Sequence, residues 1–292
     1  MFKGSFTALI TPFCDGGIDK EAFRSLVERQ IEAGTDGLVV CGTTGETPTL
    51  SEAEHLDTVK LCVETVRGRI PVLAGAGSNS TEKSVHMAKE ISKLGVDGLM
   101  LVTPYYNKPP QEALFHHYQA VHDAVNLPII MYTVPGRTGI DISIDTVSRL
   151  AKLPRIVGIK DATNDLSRPV KTRLAVAKKD FCQLSGEDAT VVAFLAQGGD
   201  GCVSVTSNVA PRMCADLHKA WQSGDFAKVS ELRDKLMPLH VAMFTETNPG
   251  PAKYALSLLG LCSAQMRQPL WEISEKSKQE VKFALEKVGL LG

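Results

Sequence analysis

The sequence predicts an α/β protein: a closed (β/α)8 TIM barrel with a C-terminal helical extension. Strand-like and helix-like stretches alternate eight times, at roughly 20 to 35 residues per unit, as a strand, a loop and a helix together require. The dipeptide Asp-Gly stands between a helix end and a strand start at Asp36, Asp97 and Asp200. Beyond residue 224, three helix-like stretches follow one another without a strand between them.

The eight strands are predicted from short runs that are rich in β-branched residues and bounded by turn signals. We place them at residues 6–13, 37–41, 71–74, 98–103, 128–133, 156–160, 181–185 and 201–205. Asp19 caps the first helix, which ends near Gly34, and Ser51 with Glu54 forms a capping box for the second, which runs to about Arg67. Further helices are predicted at residues 81–94, 111–125 and 143–153, and one follows each of the last two strands.

Glycine closes three of these helices, at Gly34, Gly95 and Gly198, in the left-handed conformation that favours it. The Asp-Gly that follows turns the chain into the next strand, so we assign this repeated device a structural role at the bottom of the barrel. A doubly wound open sheet is the alternative fold. It lacks support, because no Gly-x-Gly-x-x-Gly follows the first strand.

The pattern divides the chain into a catalytic barrel, residues 1–224, and a three-helix extension, residues 225–292. The extension's helices are predicted at residues 225–244, 251–259 and 274–288. A segment of about 65 residues rarely builds a core of its own. We therefore expect it to pack on the barrel or on a neighbouring subunit.

Composition excludes several classes of function. The 292 residues are 43% hydrophobic and 22% charged, with a formal net charge of -1, which argues against nucleic acid and against a membrane surface as partners. No apolar run reaches the roughly 18 residues that a membrane span needs. The first residues lack the features of a signal peptide, so we expect a cytoplasmic protein.

Cysteine and histidine give no sign of a disulfide framework or a metal site. The seven cysteines are odd in number and include no Cys-x-x-Cys, which is typical of reduced core thiols. His116, His117 and His122 fall on one predicted helix without a carboxylate or cysteine at metal-site spacing. We interpret them as part of a solvated helix face and expect no metal and no cofactor.

Lys160 ends the sixth predicted strand, where an ammonium group is rarely placed for packing. Period two puts Ile156, Gly158 and Lys160 on one face, and Gly158 would leave space beside the amine. Desolvation favours the neutral, nucleophilic form of an amine, which Schiff-base chemistry requires. The alternative is a lysine that reaches out of the strand end to pair with Asp161 or Asp165. Lys160 alone does not decide between these interpretations.

In a (β/α)8 barrel, functional residues collect where strands end and the loops to the helices begin. The loop after the second strand, residues 42–47, could cradle an anion with backbone N–H groups, or be a turn capped by threonines. The loop after the fourth carries Tyr105 and Tyr106 between prolines, which substrate contact or subunit packing would each justify.

The fifth strand ends at Tyr132, which could relay protons, and Arg137 follows a Pro-Gly turn and could hold a carboxylate. A surface arginine on a turn is the ordinary alternative. After the seventh strand, Gly186 would allow a ligand close to the backbone, and Asp188 is predicted to cap the next helix. Val203 lies on the eighth strand. This set fits a cofactor-free Schiff-base enzyme that acts on a small keto acid.

Three motifs resemble the dihydrodipicolinate synthases, which belong to the pyruvate-dependent lyase superfamily together with N-acetylneuraminate lyase. They are Gly42-Thr43-Thr44-Gly45-Glu46, Tyr132 with Val134-Pro135-Gly136-Arg137-Thr138, and Gly158-Ile159-Lys160-Asp161. The resemblance runs from the first strand into the C-terminal helices and includes Glu246-Thr247-Asn248-Pro249.

The resemblance implies a condensation of pyruvate with L-aspartate 4-semialdehyde, and a tetramer built from dimers. Lys160 would form the imine, and Tyr132, Thr43 and Tyr106 the proton relay, with Tyr106 supplied by the neighbouring subunit. Thr44 would bind the pyruvate carboxylate, and Arg137 that of the semialdehyde. Gly186 and Val203 would line the pyruvate site.

Two departures from the family pattern stand out. Thr133 replaces the asparagine that many members carry after the tyrosine, and it can preserve a hydrogen bond. Members inhibited by lysine have an allosteric site, whose positions here are Thr47, His55, Asn79, Lys83 and Tyr105. Because Lys83 stands where a carboxylate usually meets the inhibitor's amine, we predict weak or absent lysine inhibition. An inhibition constant well below millimolar would contradict this prediction.

The nearest alternative is another pyruvate-dependent aldolase, such as an N-acetylneuraminate-lyase-like or keto-deoxy-sugar-acid lyase. Arg137 favours the semialdehyde, because a sugar chain offers no carboxylate to that position. A non-catalytic barrel that serves as a binding protein is the other class. It predicts a missing lysine or tyrosine, whereas Lys160 and Tyr132 are both present.

Overall fold

Eight parallel strands form a closed barrel in the computed structural model, which describes residues 2–292. Consecutive strands are hydrogen-bonded neighbours, and the first also neighbours the last. The strands are β1 Gly4–Ala8, β2 Gly37–Val40, β3 Val72–Gly75, β4 Gly98–Val102, β5 Ile129–Thr133, β6 Ile156–Asp161, β7 Cys182–Ser185 and β8 Gly201–Ser204. The predicted fold class is confirmed, including the helices that follow the barrel.

Twelve α-helices lie within the part of the chain that the structure describes. They are α1 Lys20–Ala33, α2 Glu52–Val66, α3 Thr81–Ser92, α4 Gln111–Ala124, α5 Pro135–Thr138, α6 Ile144–Leu150, α7 Arg168–Ala175, α8 Val191–Ala196, α9 Pro211–Ser223, α10 Phe226–Ala242, α11 Gly250–Leu258 and α12 Glu275–Val288. Short 3₁₀ helices cover Thr43–Gly45, Thr47–Thr49 and Thr206–Asn208. Within residues 2–292, none of the helices has the length and apolar character needed to cross a membrane.

The chain divides into two compact units. The first comprises Phe2, Lys3 and Val72–Val203, and its core is built from strands β3 to β7, most of β8, and helices α3 to α8. The second comprises Gly4–Pro71 and Ser204–Gly292. In the second unit, α10 packs against both α9 and α12, and α11 packs against α12.

The predicted caps of α1 and α2 are present. Asp19 accepts a hydrogen bond from the N–H of Ala22, and Ser51 and Glu54 form the reciprocal capping box. Gly34 has a φ of 81° and closes α1 in the left-handed conformation. These local signals fix where α1 and α2 begin and where α1 ends.

The repeated Asp-Gly has a common structural role. Asp36 donates its backbone N–H to the carbonyl of Ser5 and accepts the Ser5 N–H on its carboxylate at 2.7 Å. Asp97 holds Val72 in the same way, and Asp200 holds Gln183. Each aspartate therefore binds one residue near the start of the preceding strand through two hydrogen bonds. Because the aspartate directly precedes its own strand, these bonds fix the register of the two neighbouring strands.

The first predicted strand is too long. Strand β1 ends at Ala8, and Phe13–Cys14 pairs instead with Gly17–Ile18 in an antiparallel hairpin. Asp15 and Gly16 form its two-residue turn, with φ values of 50° and 80°. Asp-Gly is a preferred sequence for this turn, so the hairpin had a local signal that the run of apolar residues obscured.

Three other predictions are wrong. Helix α6 ends at Leu150 rather than near residue 153, and Thr190, not Asp188, stands at the N-cap of α8. His117 and His122 are buried, and only His116 of the three is exposed. His117 shares the apolar stripe of α4 with Leu114 and Val121, at spacings of three and four residues, so helical periodicity explains its burial.

Candidate active site

Tyr132 and Lys160 lie side by side at the carboxyl ends of β5 and β6. They are register partners in adjacent parallel strands, so their side chains project on the same face. Both are buried, with 8% and 7% of their surface exposed. The Nζ of Lys160 lies 4.2 Å from the centre of the Tyr132 ring. A strand-end amine held over a tyrosine ring is well placed for chemistry that needs a nucleophile and a proton carrier.

The alternative ion pairs of Lys160 are not formed. The carboxylate of Asp161 is bound by Arg168 at 2.7 Å, and that of Asp165 lies 3.5 Å from Lys171. Consecutive residues of a strand point to opposite faces, so Asp161 faces away from the amine beside it. The structure therefore argues against the interpretation in which Lys160 pairs with Asp161 or Asp165.

Two glycines near Lys160 have different roles. A Cβ on Gly186 would lie 3.2 Å from Cε of Lys160 and 2.7 Å from Cβ of Ala162. Gly186 therefore keeps room directly beside the lysine stem. The prediction that Gly158 leaves space beside the amine is wrong, because a Cβ there would lie only 2.2 Å from the Sγ of Cys182. The sulfur fills the volume that the missing side chain leaves.

Glu187 is a half-buried carboxyl that sequence reasoning did not single out. Burial raises its pKa, as does the charge of Asp188, while the positive charge of Lys160 acts in the opposite direction. The Ser185 hydroxyl accepts the Glu187 N–H at 3.1 Å and donates to its carbonyl at 2.9 Å. Glu187 thus brings a carboxyl group with a raised pKa close enough to the amine for their charges to interact.

A hydrogen-bonded network joins the strand ends just beyond Tyr132 and Lys160. The Nε of Arg168 donates to Asp161 at 2.7 Å, and another guanidinium nitrogen donates to Asp141 at 2.7 Å. Thr133 donates to the second oxygen of Asp141, also at 2.7 Å. Thr133 and Asp161 directly follow Tyr132 and Lys160, so this network fastens both strand ends. Thr133 keeps a hydrogen bond, as predicted for the residue that replaces asparagine.

Arg137, Val203 and Tyr106 occupy different surroundings. Arg137 lies exposed on the short helix α5 directly after β5, so the predicted turn is one turn of helix. Val203 is buried on β8. Tyr106 is 88% exposed, at a residue with a φ of 74° that side chains other than glycine rarely adopt. An exposed aromatic ring on strained backbone is available to another molecule.

Three of the predicted allosteric positions lie close together in the first unit. Asn107 links two of them, because its side chain donates to the carbonyl of Asn79 at 2.9 Å and its N–H donates to the carbonyl of Tyr105. Lys83 is exposed in the first turn of α3, after the cap residue Ser80. The positive charge at Lys83 is therefore open to solvent.

The other two allosteric positions lie in the second unit. The Thr47 hydroxyl donates to the carbonyls of Gly42 and Cys41, which anchors the turn. His55 is buried on α2, and its carbonyl accepts from the Cys41 thiol at 3.7 Å. Thr47 thus serves as the capping threonine of the Gly42–Thr47 segment.

Thr43 and Thr44 form part of a 3₁₀ helix in the second unit. The Thr44 side chain is buried, and its Oγ1 accepts a hydrogen bond from Nδ2 of Asn248 at 2.9 Å. Asn248 belongs to the sequence motif Glu246-Thr247-Asn248-Pro249, from which no role for it was predicted. The two residues are 204 positions apart, so no local pattern predicts this contact.

A fully buried ion pair supports the same segment. Glu46, with a φ of 55°, binds the ammonium of Lys253, which also lies 4.0 Å from the ring centre of Phe13. Burial lowers the pKa of Lys253, and Glu46 acts against that shift. The backbone N–H of Arg267 donates to the other Glu46 oxygen at 3.0 Å. Helix α11 is thereby tied to the end of the Thr43–Gly45 turn.

The arrangement can be compared with known proteins. A model described as the dihydrodipicolinate synthetase family matches residues 1–288. The chain belongs to this family. Membership in the dihydrodipicolinate synthetase family makes it an enzyme of the lyase class, and the resemblance carried by the three sequence motifs is confirmed.

Individual members of the family match over their whole length. The 4-hydroxy-tetrahydrodipicolinate synthase of Rhodospirillum centenum is 57% identical over 291 residues, which covers 100% of both chains. Chloride-inhibited dihydrodipicolinate synthase from Acinetobacter baumannii, complexed with pyruvate, has a TM-score of 0.97 at 42% identity, with 100% of both chains covered. DHDPS from Cyanidioschyzon merolae with lysine bound has a TM-score of 0.96 at 38% identity, with 99% of both covered.

Proposed function

We propose that the chain condenses pyruvate with L-aspartate 4-semialdehyde to give 4-hydroxy-tetrahydrodipicolinate, the reaction that commits aspartate semialdehyde to lysine and diaminopimelate. The observation that carries the proposal is the buried amine of Lys160, 4.2 Å from the centre of the Tyr132 ring. The names of the full-length relatives favour this reaction over cleavage of a sugar acid.

The chemistry begins at Lys160. Its amine attacks the pyruvate ketone and water leaves, which forms an imine. Loss of a methyl proton gives an enamine, whose carbon attacks the semialdehyde aldehyde. The amine of the second substrate then attacks the imine carbon, closes the ring and releases Lys160. Each step moves a proton, and Tyr132, whose ring lies against the amine, is placed to carry it.

Other residues take the roles that the family resemblance assigns. Thr44 binds the pyruvate carboxylate, Arg137 binds that of the semialdehyde, and Gly186 and Val203 line the pyruvate site. Thr43 and Tyr106 complete the proton relay with Tyr132. The room that Gly186 leaves beside the lysine stem supports its assignment, since a planar keto acid must reach the amine there.

The proposal includes assembly. The exposure of Tyr106 supports a tyrosine that completes the site of a neighbouring subunit, and a homotetramer built from such dimers is the expected state. Residues 1–224 would act as the catalytic barrel and residues 225–292 as its extension, in the cytoplasm. The exposed charge of Lys83 supports weak inhibition by lysine.

Borohydride trapping tests the proposal directly. Reduction in the presence of pyruvate should attach one pyruvate to the protein, and peptide mapping should place it on Lys160. Lys171 and Lys178 serve as internal controls, because they lie outside the barrel strands. Trapped enzyme should be inactive with aspartate semialdehyde. A folded protein that forms no adduct at Lys160 would contradict the proposal, and turnover only with sugar aldehydes would move it to the alternative lyase.

A further inference from the structure

We infer that Asn248 is a positioning residue that holds the Thr44 hydroxyl as a hydrogen-bond donor toward the carboxylate of the keto acid. This inference rests on the proposed function, in which Thr44 binds that carboxylate. It adds a residue from the C-terminal extension to the machinery that selects the first substrate.

The contact between the two side chains is buried and direct. The distance from Nδ2 of Asn248 to Oγ1 of Thr44 is 2.9 Å, and the residues are 6% and 3% exposed. Asn248 precedes helix α11, while Thr44 is the central residue of the 3₁₀ helix Thr43–Gly45. Competition from bulk water for this hydrogen bond is therefore small.

The direction of the hydrogen bond determines what the hydroxyl can do next. A threonine hydroxyl has one hydrogen to donate and two lone pairs that accept. Because the amide N–H occupies a lone pair, the hydroxyl hydrogen remains for a second partner. A carboxylate only accepts hydrogen bonds, so it is complementary to this arrangement. A neutral ester or amide in its place would gain less from the same donor, because hydrogen bonds to charged groups are stronger.

Separate contacts hold the turn in place. The Thr11 hydroxyl donates to the carbonyl of Gly45 at 2.8 Å, and Glu46 is bound to Lys253 of α11. The position of Thr44 is thus fixed by its neighbours at Gly45 and Glu46. Asn248 adds the orientation of one hydroxyl group, which can be changed without dismantling the turn.

Asn248→Asp is the sharpest test, since it keeps the shape of the side chain and reverses the hydrogen bond. An aspartate would accept the hydroxyl hydrogen and place a negative charge beside the carboxylate subsite. Borohydride trapping on Lys160 would be compared for pyruvate and for methyl pyruvate, which keeps the ketone and lacks the charge. We expect the preference for pyruvate to fall at least tenfold in the variant, while trapping of the ester changes little.

Asn248→Ala and Thr44→Val complete the test. The alanine variant removes the amide without adding charge, so the preference should fall by about the severalfold that one hydrogen bond contributes. In the Thr44→Val background, Asn248→Ala should have no further effect on the preference. If the Asn248→Asp variant fails to fold, the Asn248→Ala variant and the double variant still test whether Asn248 contributes to the preference for pyruvate.

The outcomes separate the inference from the proposed function. Wild-type protein without an adduct at Lys160 would contradict the function itself. Wild-type protein with the adduct, but Asn248 variants that keep the full preference for pyruvate, would overturn only the inference. An equal loss for pyruvate and for the ester would also overturn it, because that result is expected from a structural role alone.

Discussion

His117 shows how strongly the surroundings of one side chain change its chemistry. It lies on α4 next to the exposed His116, yet it is 4% exposed, and its Nδ1 lies 2.9 Å from the Thr81 hydroxyl of α3. Burial lowers the pKa of His117 to about 4. The Nε2 of His117 has no hydrogen-bond partner in residues 2–292. His117 takes no part in the proposed reaction, so we expect its effect to be on stability.

The shift of His117 predicts a loss of stability in mild acid. The unfolded chain binds a proton near pH 6.5, whereas the folded protein does so only near pH 4, so stability is complete above pH 6.5 and declines as the pH falls toward 4. Between pH 7.5 and pH 5 the contribution amounts to about 2 kcal/mol of unfolding free energy. Urea unfolding of His117→Gln should show a weaker dependence on pH over this interval. His116→Gln, the matched control, should behave as wild type; equal slopes for both variants would contradict the prediction.

At the scale of elements, the network around Arg168 joins β5, β6 and α7. One guanidinium group contacts carboxylates that follow two different strands, Asp161 at the end of β6 and Asp141 beyond β5. Tyr132 and Lys160 immediately precede Thr133 and Asp161, which the network holds. We therefore expect Arg168 to position the side chains of Tyr132 and Lys160 relative to each other.

Arg168→Met should therefore lower both stability and activity. It leaves the buried Asp161 without its cationic partner, which costs about 3–5 kcal/mol of unfolding free energy. A shift of the two strand ends by a fraction of an ångström would lower kcat on the order of tenfold to a hundredfold. Urea unfolding and steady-state kinetics measure the two effects. Arg173→Met on the same helix is the control, since Arg173 is exposed. Equal effects of the two substitutions would refute the assigned role.

The fold was predictable from sequence because its signals are local. The cap at Asp19, the capping box at Ser51 and the glycine at Gly34 lie within a few residues of the helix ends that they set. Lys160 and Tyr132 were found by the same logic, as polar groups at the ends of apolar strands. Contacts such as Asn248 with Thr44 or Arg168 with Asp141 join distant parts of the chain, and they depend on packing that no window of sequence contains.

At the scale of the whole molecule, Tyr106 offers a test of whether catalysis depends on assembly. A ring that is 88% exposed contributes little to the fold of its own chain. If it serves the neighbouring subunit, two different inactive variants should restore activity when they share an oligomer. Lys160→Ala supplies an intact Tyr106, and Tyr106→Phe supplies an intact Lys160.

Co-expression of these two variants should recover about a quarter of wild-type activity, because half of the randomly paired dimers are mixed and each mixed dimer has one complete site. Each variant alone should be nearly inactive. Both variants should unfold at the wild-type urea concentration, which shows that the lost activity is not lost structure. A mixture that stays as inactive as its components would show that Tyr106 acts within its own chain.

The paired hydrogen bonds of Asp36, Asp97 and Asp200 limit how the length of such a chain can change. Each aspartate lies in a helix-to-strand connection and binds one residue of the preceding strand through both its backbone N–H and its carboxylate. A residue inserted between the aspartate and the strand that follows it would shift that strand by one position against its neighbour. The connections that enter the strands are thus constrained in length. The connections that leave the strands carry the functional residues of such barrels, so we expect new substrate specificities to arise there.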